Sequence, residues 1–226
     1  MTETDGIFAK LTTSLSAGRM ISVKDHLCSG VLLCLFECNG ELHLLFEKRA
    51  DQIRQGREIC FPGGRYDDRK DSSLLDTAAR ETSEELGISP DIIEVYGELG
   101  TLITPLKVMI RAYVAKLNIT GTEELTPQPS EVERVFTVPL SFFLANEPFE
   151  HSVRLEVSSQ YEDEQGRKVE LLPVKELDIP ERYSGKWASY DHTIKFYDTD
   201  NGLIWGITAS IVEEFVSLWR SAQSKT

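Results

Sequence analysis

Apolar and polar positions along the chain fall into short blocks of two periods. "GVLLCLFECNGELHLLFEKRA" carries two apolar runs around Asn39-Gly40, the pair favoured by a type I′ hairpin turn, and predicts strands over 31–38 and 41–48. "DQIRQGREICFPGGRYDDRKD" is loop-like and glycine-rich, with Arg54 and Arg57 ahead of a Pro-Gly-Gly turn. Helical spacing follows over 72–86, with Asp71, Ser72 or Ser73 as N-cap and Gly87 as the stop. "IIEVYGELGTLIT" and "KVMIRAYVAKL" read as strands. "EELTPQPSEVERVFTVPLSFFLANEP" reads as a polar loop, a short strand and a brief helix. "HSVRLEVSSQYEDEQGRKVELLPV" predicts a second hairpin turning near Gln165-Gly166, and "HTIKFYDTD" a further strand. A closing amphipathic helix is predicted over 203–222, with Trp205 packed into the core at its start. Before all this, Ile7, Leu11 and Leu15 stand at helical spacing in a lead-in of about 25 residues. The order β-β-loop-α-β-β-β-α fits an α/β fold, a mixed sheet with helices packed on it.

A chain of 226 residues suffices for one sizeable domain, or one carrying a large insertion. No apolar run approaches the ~20 residues of a membrane span, and "MTETDGIFAK" is unlike a secretory signal, so no membrane role is expected. Cys28, Cys34, Cys38 and Cys60 lack C-x-x-C spacing and lie mostly in strand-like text, as reduced thiols of a cytoplasmic protein would. A net charge of −13 argues against nucleic-acid partners. It also means that a polyanionic substrate must be received by a local basic patch or by metal ions.

The predicted helix ends in "RETSEELGI". At 100° per residue, Glu81, Glu84 and Glu85 share one arc of about 100°, beside a largely apolar stripe made by Leu75, Ala78, Ala79, Thr82 and Leu86. Acids at i, i+3 and i+4 repel one another, and a helix C-terminus prefers cations. A solvated acidic face is the plain reading of such a cluster. A Pro-Gly-Gly turn delivered to the same neighbourhood favours another, a carboxylate ridge holding Mg²⁺ against substrate phosphate, with Arg80 orienting a carboxylate.

These residues resemble the signature of the Nudix hydrolases, G-x5-E-x7-R-E-U-x-E-E-x-G-U. Gly64 matches the first glycine, and Arg80, Glu81, Glu84, Glu85, Gly87 and Ile88 match the rest. The spacing from Gly64 to Arg80 is two residues longer than the motif, Thr82 replaces an aliphatic residue, and the early glutamate is answered only by Asp67, Asp68 or Asp71. Upstream, Arg49, Ile53, Arg54 and Glu58 through Gly64 resemble the extra motif of the coenzyme A diphosphatase branch, one residue shorter and with Arg57 where glycine is usual. The resemblance runs from about Val31 to Phe215.

By that resemblance the chain is a single Nudix domain over 1–226, an α/β/α sandwich around a mixed β-sheet. The implied reaction is Mg²⁺- or Mn²⁺-dependent hydrolysis of a nucleoside diphosphate linkage, in coenzyme A or a derivative. The alternatives are ADP-ribose, a dinucleotide or a nucleoside triphosphate as substrate, or a non-catalytic nucleotide-sensing module. Glu81 and Glu85 are the expected metal ligands, with Glu84 a third. Glu84 or Glu131, with Glu133 competing, is the expected general base, and Arg80 completes the catalytic set. Arg49, Arg54 and Arg57, with Lys48 close by, and the turn glycines Gly63 and Gly64 are expected at the substrate. A homodimer is expected on resemblance alone.

Overall fold

The structure, a computed structural model, describes residues 25–224, so the predicted lead-in around Ile7, Leu11 and Leu15 lies outside the described residues. Strand β1 (Leu27–Cys38) turns through Asn39 and Gly40, both at positive φ as a type I′ turn requires, into β2 (Glu41–Arg49). A long loop then carries two short strands, β3 (Ile59–Cys60) and β4 (Gly63–Arg65). Helix α1 (Leu74–Leu86) starts two residues later than predicted, because Ser73 is the residue whose side chain accepts the Asp76 N–H and caps it. It stops at Gly87, which adopts the left-handed conformation at φ 63°.

β5 (Ile93–Ile103) and β6 (Val108–Leu117) follow, then β7 (Val132–Pro139) and the short helix α2 (Leu140–Ala145). The main sheet runs β3-β2-β1-β6-β5, with β4 added to β1 and β7 to β2. β1 and β6 are parallel and the remaining pairs antiparallel, so the sheet is mixed.

The predicted second hairpin is corrected. Only its tip pairs with itself, as β9 (Gln160–Glu162) with β10 (Lys168–Glu170), while β8 (Phe149–Ser158) pairs with the distant β11 (Lys186–Thr199). The closing helix is also shorter at its start. Gly202–Trp205 forms β12 beside β11, and α3 runs Gly206–Gln223. Gly202 and Gly206, at φ 121° and 61°, let the chain turn into the strand and out of it. Trp205 therefore sits on a strand and is 40% exposed rather than packed in the core.

β1 is buried on both faces, which is why its text is continuously apolar rather than alternating. Leu32, Cys34 and Phe36 join Ala78 and Leu86 of α1 in one core cluster. Leu33 and Leu35 join Phe143 of α2 and Val212 and Phe215 of α3 in the other. Helices thus cover both faces of a mixed sheet, the α/β/α sandwich expected. Gly30 sets the spacing of the first layer, since a Cβ there would overlap the Leu74 carbonyl at the start of α1.

Candidate active site

The three acids of α1 do not form one exposed ridge. Glu84 is half exposed, Glu81 is largely covered, and Glu85 is buried, 3% exposed, on the same side as Thr77, Ala78, Thr82 and Leu86. The wheel left Glu85 outside the buried stripe because the Pro-Gly-Gly loop, which folds over that side, is invisible to helix periodicity. β4 lays this loop antiparallel on β1. The Gly63 N–H then donates to Glu85 Oε2 at 2.8 Å, and a Cβ on Gly64 would overlap the Glu81 carboxyl. Both glycines were expected at the substrate; the contacts shown are with these two carboxylates.

The unfavourable C-terminal placement of the acids is eased by the loop that follows β6. Gln128 N–H bonds the Glu85 carbonyl at 3.0 Å and Thr126 N–H the Leu86 carbonyl at 2.9 Å, so two of the terminal carbonyls are satisfied. The same loop carries Glu131, whose backbone carbonyl accepts from Ala50 N–H. Glu131 lies close enough to Glu47 and Glu81 to push both of their pKa values upward. Glu133 points elsewhere and pairs with Lys48 at 2.7 Å.

Arg80 organises the front of the cluster. Its Nε and Nη2 donate to the two oxygens of Asp71 at 2.8 and 3.0 Å, Nη1 to Glu84 at 3.1 Å, and Nη2 lies 2.8 Å from Glu81. Asp71 is buried and also accepts from Thr77 Oγ1 and Asp67 N–H. It stands where the chain had no match for the early glutamate, joining the lengthened loop to the helix. The Arg80 bonds hold its carboxyl well below the usual carboxylate range.

Glu47 is the member that the sequence reading missed. It is fully buried on β2, Oε1 accepts from the Cys60 thiol at 3.3 Å, and Oε2 has no hydrogen-bond partner among the described residues. An acid directly after buried Phe46 and on the same strand face as buried Leu45 was the available signal. Arg49 Nη1 stands between this acid and α1, 3.9 Å from Glu47 and 4.0 Å from Glu85. Arg49 is therefore part of the cluster. Arg57 is instead exposed and paired with Asp51 at 2.6 Å, and Arg54 is exposed on the same loop, so neither is drawn to the carboxylates. Arg57 adopts φ 68°, the left-handed region that glycine enters freely and other residues at a cost of about 1–2 kcal/mol.

Burial, reinforced by the neighbouring carboxylates, pushes Glu47 up to about 7 and Glu85 up to about 9, and raises Glu81 as well. Cys60, beside them, is raised for the same reason. Raised carboxylate pKa values mean that the folded protein binds protons which the unfolded chain releases. Stability is therefore greatest at low pH within this range and falls as pH rises through about 7 and 9. In a chelator, the melting temperature should drop by roughly 5 °C or more between pH 6 and pH 9, and millimolar Mg²⁺ should flatten the profile. A metal-free profile that is level, or that rises with pH, would contradict this.

The donor chemistry is of the kind a hard divalent cation takes. All the donors are carboxylate oxygens, three of them carry raised pKa values, and one buried oxygen has no partner. Among the described residues no three acidic, histidine or cysteine side chains converge closely enough to hold an ion as they stand. Glu81 and Glu84 are engaged by Arg80, and Glu85 by Gly63.

The architecture is thus a mixed sheet between helices, with a glycine turn set over a carboxylate-bearing helix. The Nudix domain model matches residues 26–191, and the chain belongs to the Nudix family. Among relatives, it is 28% identical over 191 residues to the mitochondrial Nudix hydrolase 15 of Arabidopsis thaliana, covering 81% of this chain and 55% of that protein. It is 36% identical over 115 residues to the peroxisomal coenzyme A diphosphatase of Mus musculus, covering 50% and 48%. To the mitochondrial coenzyme A diphosphatase of Homo sapiens it is 32% identical over 130 residues, covering 56% and 55%. The matched stretch thus spans about half the length of these curated relatives. Among the described residues no helix is long and apolar enough to cross a membrane.

Proposed function

We propose that this chain is a Mg²⁺- or Mn²⁺-dependent Nudix pyrophosphohydrolase that cleaves the diphosphate of coenzyme A or an acyl derivative, giving 3′,5′-ADP and the phosphopantetheine half. The observation that carries the hydrolase reading is the carboxylate group of buried Glu47 and Glu85 and partly covered Glu81 under the Gly63-Gly64 turn. Glu81 and Glu85 would hold the ion, with Glu47 supporting them from β2 and Glu84 at the exposed rim. A bound divalent cation would supply charge neutralisation at the phosphate oxygens. Arg80 positions Glu81 and Glu84 by fork hydrogen bonds. Glu131, half-buried and facing the cluster, accepts the proton of the attacking water. The substrate half of the reading rests on the motif around Arg49, Arg54 and Arg57 and on the two coenzyme A diphosphatases among the relatives. Free thiols at Cys28, Cys34, Cys38 and Cys60 suit a reducing compartment, and a cytoplasmic location is part of the same proposal.

A second reading, another nucleoside diphosphate such as ADP-ribose, gains from the arginine geometry. Arg49 and Arg57 are already ion-paired, which leaves less free cationic charge for a 3′-phosphate. Mg²⁺-dependent turnover of coenzyme A, ADP-ribose, NADH and nucleoside triphosphates, with products identified by mass, decides between them. The proposal expects 3′,5′-ADP from coenzyme A as the fastest product. Faster cleavage of another substrate would overturn the coenzyme A assignment and keep the hydrolase. Tight nucleotide binding without any turnover would indicate a sensing module and overturn both.

A further inference from the structure

β8 and β11 continue beyond the core as a long antiparallel ribbon, from the pair Phe149–Phe196 to the pair Ser158–Lys186. Alternation, interrupted by an irregularity between Lys186 and Ala188, divides it into two unlike faces. One face is charged and internally paired: Arg154 with Asp191 at 3.7 Å, Glu156 with Lys186 at 2.6 Å, and Lys195 with Glu150 at 4.0 Å and with Glu213 of α3. The other face carries no Asp, Glu, Lys or Arg along the paired stretch from Phe149 to Val157.

The apolar face is the one turned away from this chain's own core. Tyr197 and Ile204, paired across β11 and β12, point inward and are buried, and their neighbours Phe196 and Trp205 point to the opposite side. There Phe149, Phe196 and Trp205 stack in a row across three strands, with ring centroids 5.2 and 6.2 Å apart and planes within 14° and 8° of parallel. Phe149, Val153 and Val157 on β8, Tyr190 on β11 and Trp205 on β12 are 45, 45, 41, 50 and 40% exposed. A two-stranded ribbon is marginal in water by itself, and this one presents its apolar side outward.

We propose that this face is a self-association surface on which two copies of the chain pack sheet against sheet about a two-fold axis. Charge supports a second copy as the occupant. Copies carrying −13 each repel one another over most of their surface, and a face free of formal charge is where they can approach. A strongly charged partner would find no complementary charge here. Area agrees: at ~150–250 Å² for a whole aromatic side chain, the exposed fractions amount to roughly 500 Å² per copy. Two such faces bury about 1,000 Å², the lower bound for a specific interface, which corresponds to a weak dimer. An isologous contact between identical faces closes at two copies.

Sedimentation velocity on the full chain from 1 to 100 µM tests this. The wild-type protein should pass from monomer to dimer within that range, and Val153→Glu and Tyr190→Asp should each stay monomeric throughout. Arg154→Glu, on the charged face, should dimerise as the wild type does. Melting temperatures within about 2 °C of wild type establish that the variants fold, and because Val153 and Tyr190 lie on different strands, a folding defect in one leaves the other to decide. A wild-type chain that is monomeric at every concentration overturns the proposal, as does a dimer that survives both substitutions.

Discussion

Glu85→Gln should lower Mg²⁺-dependent turnover by at least ~10³-fold, about 4 kcal/mol of transition-state stabilisation, while leaving the metal-free fold intact. The two halves of this expectation have one cause. Burial pushes Glu85 up to about 9, so at neutral pH without metal its carboxyl is already protonated and glutamine is nearly its isostere. The Gly63 N–H keeps an acceptor, since the amide oxygen takes the place of Oε2. What glutamine cannot do is give up a proton and carry the charge that an ion needs. Melting curves in chelator should therefore match wild type only near pH 4, where the carboxyl is protonated both folded and unfolded, and exceed it by a growing margin as pH rises toward 9. The gain in melting temperature on adding Mg²⁺ should largely disappear. Near-wild-type turnover in this variant would remove Glu85 from the metal site, and Glu81→Gln assayed beside it would show whether α1 holds the ion at all.

The largest effect on stability is expected at Asp71. Its two oxygens receive only donors, from Arg80, Thr77 and the Asp67 backbone. Asn at this position turns an amide NH₂ toward one of those donors and removes the one buried counter-charge of a covered guanidinium, leaving it only the more exposed Glu81 and Glu84. Breaking such a pair costs about 3 kcal/mol, a drop in melting temperature on the order of 10 °C for a chain of this size. Turnover should fall as well, because Arg80 also bonds Glu81 and Glu84 and loses its anchor. The wild-type carboxyl is held well below the usual range, so its contribution is present above about pH 4 and is lost as pH falls through the folded value. The acid side of the stability profile should therefore be shallower in Asp71→Asn than in wild type. A variant melting within 1 °C of wild type would show that the lengthened loop does not depend on this fork.

Local chemistry decided much of this protein. Asn39-Gly40 specified the hairpin, because a type I′ turn needs two residues tolerant of positive φ. Ser73 and Gly87 bounded α1 through capping, a contest settled within a few residues. The spacing of Arg80, Glu81, Glu84 and Glu85 was enough for the family, since a helix face is set by its own period. Failures of the sequence reading lie where a contact spans many residues. β8 was paired with its nearest strand-like neighbour, and only the tertiary fold joined it to β11, roughly 40 residues on. β12 was read as the first turn of α3, because "GLIW" is apolar in either state and only pairing with β11 makes it a strand.

The same division runs through the site. Sequence could place three glutamates on one side of a helix, but it took the Pro-Gly-Gly loop to bury Glu85 and the Arg80–Asp71 fork to fix the loop. Glu47 belongs to the group only because β2 and α1 lie against the same end of β1, which no local period encodes. Arg57 and Arg49, adjacent in motif, part company for a like reason: one meets Asp51 at the surface and the other meets buried acids. The sequence by itself determined the elements and the chemical types of the site, because capping, turn preference and periodicity act over a few residues. Tertiary structure alone decided which of those groups are desolvated and which share one another's field, because burial and Coulomb interactions depend on distance in space.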